Sequence, residues 1–208
     1  MNNPVQTEDY RGYEIRVYED PEPPNPRTDY GNVGTMVCFH KRYSLGDQDH
    51  GYKSTDFPSW AAVEAQLRKD YRDPVILPVY MYDHSGLTIN TTGFSCPWDS
   101  GQIGYIVCSL KTAKTEFGVK GQIRKGWQGQ AAYTPNPDGS SRTLREAVEH
   151  CLLQEVKSYD DYLTNNCWGF VVDNGDDEDS CWGFLGDIEY CLQEARSSVD
   201  SRQVEAPK

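Results

Sequence analysis

A chain of 208 residues with a formal charge of −12 can bury one sizeable core, and its 5 Trp, 14 Tyr and 6 Phe set it apart from disordered compositions despite a hydrophobic fraction of only 37%. No run approaches the roughly 18 apolar residues that span a bilayer, and the start MNNPVQTEDYRG has neither a basic cluster nor an apolar signal core. Seven cysteines, an odd number with no CxxC spacing, indicate neither a zinc ribbon nor a complete disulfide framework, so reduced thiols in the cytoplasm are expected.

The charge is unevenly spread along the chain. Residues 1–145 hold 17 acids and 16 bases, whereas residues 146–194 hold 13 acids and a single base, Lys157, which places a net −12 in one 49-residue stretch. The basic groups Arg68, Lys69 and Arg72, and Lys120, Arg124 and Lys125, are too short to neutralise a phosphate backbone. Direct binding to nucleic acid or to an anionic membrane is therefore not expected.

In chain order, Tyr13, Ile15 and Val17 alternate with charged residues and predict a half-buried strand, broken by the four prolines between Pro21 and Pro26. A second strand is expected over residues 35–43. Ser59 caps a helix whose Trp60, Val63, Leu67 and Tyr71 recur at helical spacing until Asp73 and Pro74 stop it. Two β-rich runs, VILPVYMYDHSGLTI and QIGYIVCSL, flank a turn-rich loop and are expected to pair antiparallel. A short helix over residues 111–117 and a Gly/Pro/Asn-rich stretch to residue 141 precede a long amphipathic helix over residues 142–163, with Leu144, Val148, Leu152, Val156 and Tyr159 on one stripe. Glu155 shares that apolar side and is expected to meet an Arg or a Tyr hydroxyl. Two copies of Cys-Trp-Gly-Phe, at 167–170 and 181–184, bracket DNGDDED and predict a hairpin with a charged tip and similar packing on both strands. A last helix begins at Asp187, and residues from Ser197 onward are expected to fray. The whole predicts a single α+β domain over residues 1–208: a mostly antiparallel twisted sheet with about three packed helices.

Three groups of residues suggest chemistry. His84, Cys96 and Asp99 fall in one strand-loop-strand unit, where an imidazole beside a thiol would make a hydrolase-type nucleophile; hydrogen bonds of Asp83, His84 and Asp99 that merely lock the loop are the plainer reading. Cys38 and His40, two apart on a strand, could share a metal with His50, His84 or Cys96, but nothing in the spacing makes a fourth ligand converge, and neither metal nor cofactor is expected. The run Asp173–Asp179 lacks the ligand alternation of a calcium loop.

The tracts YDHSG and FSCPWDSGQIG within residues 80–107, and EVKSYDDYL and CWGFLG within residues 155–186, resemble those of uncharacterised small acidic proteins of bacteriophages and mobile elements. That resemblance brings no activity, but it implies a genome that encodes inhibitors of host defence. The function expected is a non-enzymatic inhibitor acting as a DNA mimic. Its carboxylates Glu146, Glu149, Asp160, Asp161, Asp173, Asp176, Asp177, Glu178, Asp179, Asp187 and Glu189 would dock on a host protein with a basic surface. A hydrolase using His84, Cys96 and Asp99, or a small-ligand protein lined by aromatic side chains, are the alternatives.

Overall fold

The computed structural model describes residues 3–118 and 143–205, so the polar stretch ending at residue 141 and the basic group of Lys120, Arg124 and Lys125 lie outside the described residues. The fold is α+β, as the sequence predicts, but its strands form two antiparallel four-stranded sheets instead of one. The chain divides into two compact units, one built from residues 1–25 and 161–208, the other from residues 26–160.

The first unit joins both ends of the chain. Its sheet has the order β1-β2-β7-β8, from β1 (Gln6–Tyr10), β2 (Tyr13–Glu19), β7 (Cys167–Asp173) and β8 (Glu178–Leu185). Sequence patterning did not reveal β1, in which only Tyr10 is apolar. It forms because Arg11 and Gly12 both take positive φ, 50° and 83°, the geometry of a two-residue turn whose twist matches paired strands. Helix α4 (Ile188–Glu205) covers one face: Ile15, Val17, Phe170 and Val172 bury themselves against Cys191, Leu192, Ala195 and Val199. Each large aliphatic group so removed from water contributes roughly 1.5–3 kcal/mol. The helix continues past Ser197 to Glu205: Val199 is fully buried and Arg202 is held by Asp177 and Asp179.

The second unit contains β3 (Thr35–Cys38), a 3-10 turn at Ser54–Asp56, α1 (Trp60–Asp70), β4 (Pro74–Asp83), β5 (Leu87–Asn90), β6 (Ser100–Ser109), α2 (Leu110–Glu116) and α3 (Leu144–Leu163) as far as Asp160. Its sheet order is β3-β6-β4-β5, so the expected pairing of the two β-rich runs is present, with the first folded into the β4-β5 hairpin. Val63 and Leu67 of α1 pack on Val37, Tyr105 and Val107. On the opposite face, Leu152 of α3 and Ile106 of β6 both crowd the backbone at Gly34.

Glu155 meets an arginine. The Arg27 guanidinium, with a side chain 2% exposed, gives Nε–H to Asp47, Nη1 to Asn32 and Glu155, and Nη2 to Asp47 and the Gly34 carbonyl, at 2.8–3.0 Å. All five donors are thereby used. Burial alone would lower its pKa, but the two carboxylates outweigh burial and raise it. Glu155 also accepts the amides of Val33 and Gly34 at 2.7 and 3.1 Å, and Asp47 that of Met36 at 2.8 Å.

Removing one partner of such a group strands the others. Arg27→Met should cost about 3–5 kcal/mol in urea unfolding. Glu155→Gln should cost less, because the amide oxygen keeps the two backbone contacts; equal losses would mean that the charge is not what matters. In the first unit, Arg196 lowers the pKa of Glu8 from 4.5, chiefly by its hydrogen bond. A lowered carboxyl pKa stabilises the folded state above the unfolded value, and the gain disappears as pH falls through the folded value. The stability gap between the wild type and Glu8→Gln should therefore be full at neutral pH and close as the pH drops below 4.5.

Candidate interaction surface

The −12 charge belongs to one unit. The unit of residues 1–25 and 161–208 has 17 acids against 5 bases, and the unit of residues 26–160 has 15 of each. Within the acidic unit, register concentrates the charge further. Asp9 pairs with Glu14, Glu14 with Asp173, and Asp173 with Glu178, so one row of four carboxylates crosses all four strands. The row lies on the face turned away from α4, because Ile15 and Val172, which alternate with it, point at the helix. Neighbouring residues in such a row stand about 4.5–5.5 Å apart, and like charges placed opposite one another are destabilising.

Arg16, in the next row, is the base that faces it, at 3.6 Å from Glu14, 3.1 Å from Asp173 and 3.5 Å from Glu178. The row beyond holds Tyr18, Gly169 and Trp182: the Trp182 ring lies over Gly169, where a Cβ would clash, and its centroid is 6.1 Å from that of Tyr18. Trp182 remains 43% exposed. The open face thus presents an acidic row, a mixed row with Thr7, Arg16, Val171 and Ser180, and an aromatic row.

The acids singled out by sequence have varied settings. Asp173 and Glu178 belong to the row. Asp177 and Asp179 turn to Arg202, and Glu189 to Arg196 at 2.8 Å. Asp187 accepts the Glu189 amide at the start of α4, and Asp176 is exposed at the hairpin tip. Asp161 is buried. In the other unit, Asp160 accepts from Thr88 Oγ1 and the Ile89 amide at 2.7 and 2.8 Å; Glu146 forms a capping box with Thr143, and Glu149 is exposed. Asp9 and Glu14 had no sequence signal, since they lie more than 130 residues before the acidic stretch and reach it only through β-pairing.

His84, Cys96 and Asp99 do come together, in an order unlike a nucleophilic relay. The Cys96 thiol donates to Asp99 at 3.7 Å, and His84 Nδ1 is 3.4 Å from the same carboxylate. A relay needs the imidazole between thiol and acid; here the acid is in the middle. Asp83 adds its amide to the Asp99 carbonyl at 2.8 Å, so these groups clasp the loop before β6. Cys38 and His40 separate: the thiol is buried, and the His40 ring accepts the amides of Arg42 and Tyr43. His50 accepts the Tyr52 amide at 3.0 Å. Among the described residues, no group of three or more His, Cys, Asp or Glu is placed to hold a metal ion, and no helix is long and apolar enough to cross a membrane.

Burial pushes the thiols of Cys38 and Cys191 up to about 12, and those of Cys108 and Cys167 to about 11. At pH 8, a thiol near 12 is thiolate in only ~10⁻⁴ of molecules. Iodoacetamide at that pH should label the exposed Cys181 and the half-buried Cys96 of the native protein and leave those four unlabelled until unfolding, as read by peptide mass spectrometry. No protein-family model, no curated protein and no solved structure matches the chain.

Proposed function

We propose that the chain is a non-enzymatic protein of a bacteriophage or mobile element that acts in the host cytoplasm, where it binds and inhibits a nucleic-acid-binding protein of the host. The row Asp9-Glu14-Asp173-Glu178 is the observation that carries this reading. Four carboxylates aligned across a sheet with a single facing guanidinium repel one another, and a partner supplying Lys and Arg relieves that repulsion on binding. A surface that binds phosphates is such a partner, since its bases are already spaced to meet a line of negative charge. The concentration of the whole net charge in one unit supports the same reading, because it would steer basic proteins to that unit. Trp182 and Tyr18, two rows away, supply the apolar contact that charge alone does not give.

The test uses purified host nucleases and recombination proteins with basic clefts, titrated against the full chain. Binding to a cognate partner should weaken steeply between low and high salt and should be displaced by duplex DNA. The double variant Asp9→Asn/Glu14→Gln, which leaves Arg16 paired with Asp173 and Glu178, should bind roughly tenfold or more weakly, with a flatter salt dependence. Cys96→Ser should bind as the wild type does. Binding that ignores salt, or that DNA does not displace, would sink the proposal.

A further inference from the structure

Trp98, in the other unit, is 91% exposed. Slackness of its loop does not explain this, because the neighbours are engaged. Phe94 stacks on Tyr82 with centroids 5.6 Å apart, Ser100 bonds the Cys96 carbonyl, and Asp99 holds Cys96 and His84. An indole left in water by an otherwise ordered loop forgoes burial that a partner can recover.

The indole borders an open cleft of about 370 Å³ shared with His40, Arg42, Asp83, Asp99 and Gln102. Two carboxylates face one guanidinium there, so the cleft favours a cation and disfavours a phosphate. An apolar group would cover Asp83 and Asp99 without compensating them. The chain itself shows the preferred chemistry beside the cleft: the Arg42 guanidinium lies 5.1 Å from the centre of the Tyr43 ring and 3.3 Å from Asp83. Trp98 and Asp99 offer a second aromatic-carboxylate pair, open to solvent.

We propose that this cleft receives one arginine side chain of a partner protein, its plane on Trp98 and its N–H fork toward Asp99. Arginine is preferred to lysine because a planar guanidinium stacks on the ring and meets a carboxylate with two donors at once. This site belongs to the other unit and rests on no assumption about the acidic row.

The experiment uses the full chain labelled with 5-fluorotryptophan, the Trp98 resonance being assigned with Trp98→Phe, and acetyl-arginine-methylamide as the probe at constant ionic strength. The Trp98 signal should shift with half-saturation on the order of 10 mM, more weakly with the lysine analogue and not with the norleucine analogue. Asp99→Asn should weaken the effect severalfold while circular dichroism stays unchanged. A Trp98 signal unmoved by about 100 mM arginine probe, or moved equally by the norleucine probe, overturns the proposal. So does a signal that moves with adenosine monophosphate in place of arginine, which would make the cleft a nucleotide site. No host protein is present, so failure here leaves the acidic row untouched.

Discussion

The buried guanidinium of Arg27 fixes the larger unit. It reaches Asn32 and Gly34 in the segment before β3, Asp47 in the loop after it, and Glu155 on α3, so three stretches distant in sequence meet at one side chain. Taking a guanidinium out of water costs several kcal/mol, and only full use of its donors offsets that. The condition is met, and the partners' remaining lone pairs accept the amides of Val33, Gly34 and Met36. A network of this kind tolerates one arrangement of its parts. It ties α3 to the segment before β3, where Leu152 and Ile106 close on Gly34.

Charge is handled in the opposite manner in the acidic unit. There the arginines lie near the surface and three of them are shared, Arg196 between Glu8 and Glu189, Arg202 between Asp177 and Asp179, Arg16 among Glu14, Asp173 and Glu178, while Arg11 pairs with Asp200 at 2.9 Å. The unit's five bases cannot balance its 17 acids. The arginines act where repulsion would otherwise open the β7-β8 hairpin or lift α4, and leave the unit with a net charge of −12. The fold thus tolerates its charge; it does not cancel it.

Much of this was legible in the sequence, with limits that have physical causes. Helical periodicity marked α1, α3 and α4 because each buries a continuous stripe, and the position of Glu155 on the α3 stripe announced a buried partner. The end of α4 was missed because its last turns are held by Val199 and by Arg202, whose acids lie across the hairpin, and no local propensity reports such a pair. β1 was missed because QTEDY has almost no apolar alternation; it is an edge strand held by a two-residue turn and by β2. Net charge along the chain pointed to residues 146–194, yet the acidic row draws half its members from the N-terminal hairpin. Charge counted by sequence window cannot register strand pairing.

The twin Cys-Trp-Gly-Phe words show the same limit at the scale of four residues. Phe170 and Phe184 stack 5.5 Å apart on the α4 side, as two similar strands would suggest. The tryptophans part: Trp168 joins that core and donates Nε1–H to the Gly186 carbonyl at 2.7 Å, while Trp182 lies on the open face over Gly169. A register irregularity opposite Trp168 and Phe170, with Gly183 at φ 88° and its amide held by Asp20, turns the second word over between its Trp and its Phe. Glycine is what permits the turn, and Gly169 is what leaves room for the ring. A hairpin with two equivalent strands would have buried both indoles under α4 and left the face of the acidic row without an exposed indole. The bulge places an exposed indole two rows from the carboxylates, on the same face, so that the proposed partner would meet charge and apolar surface together.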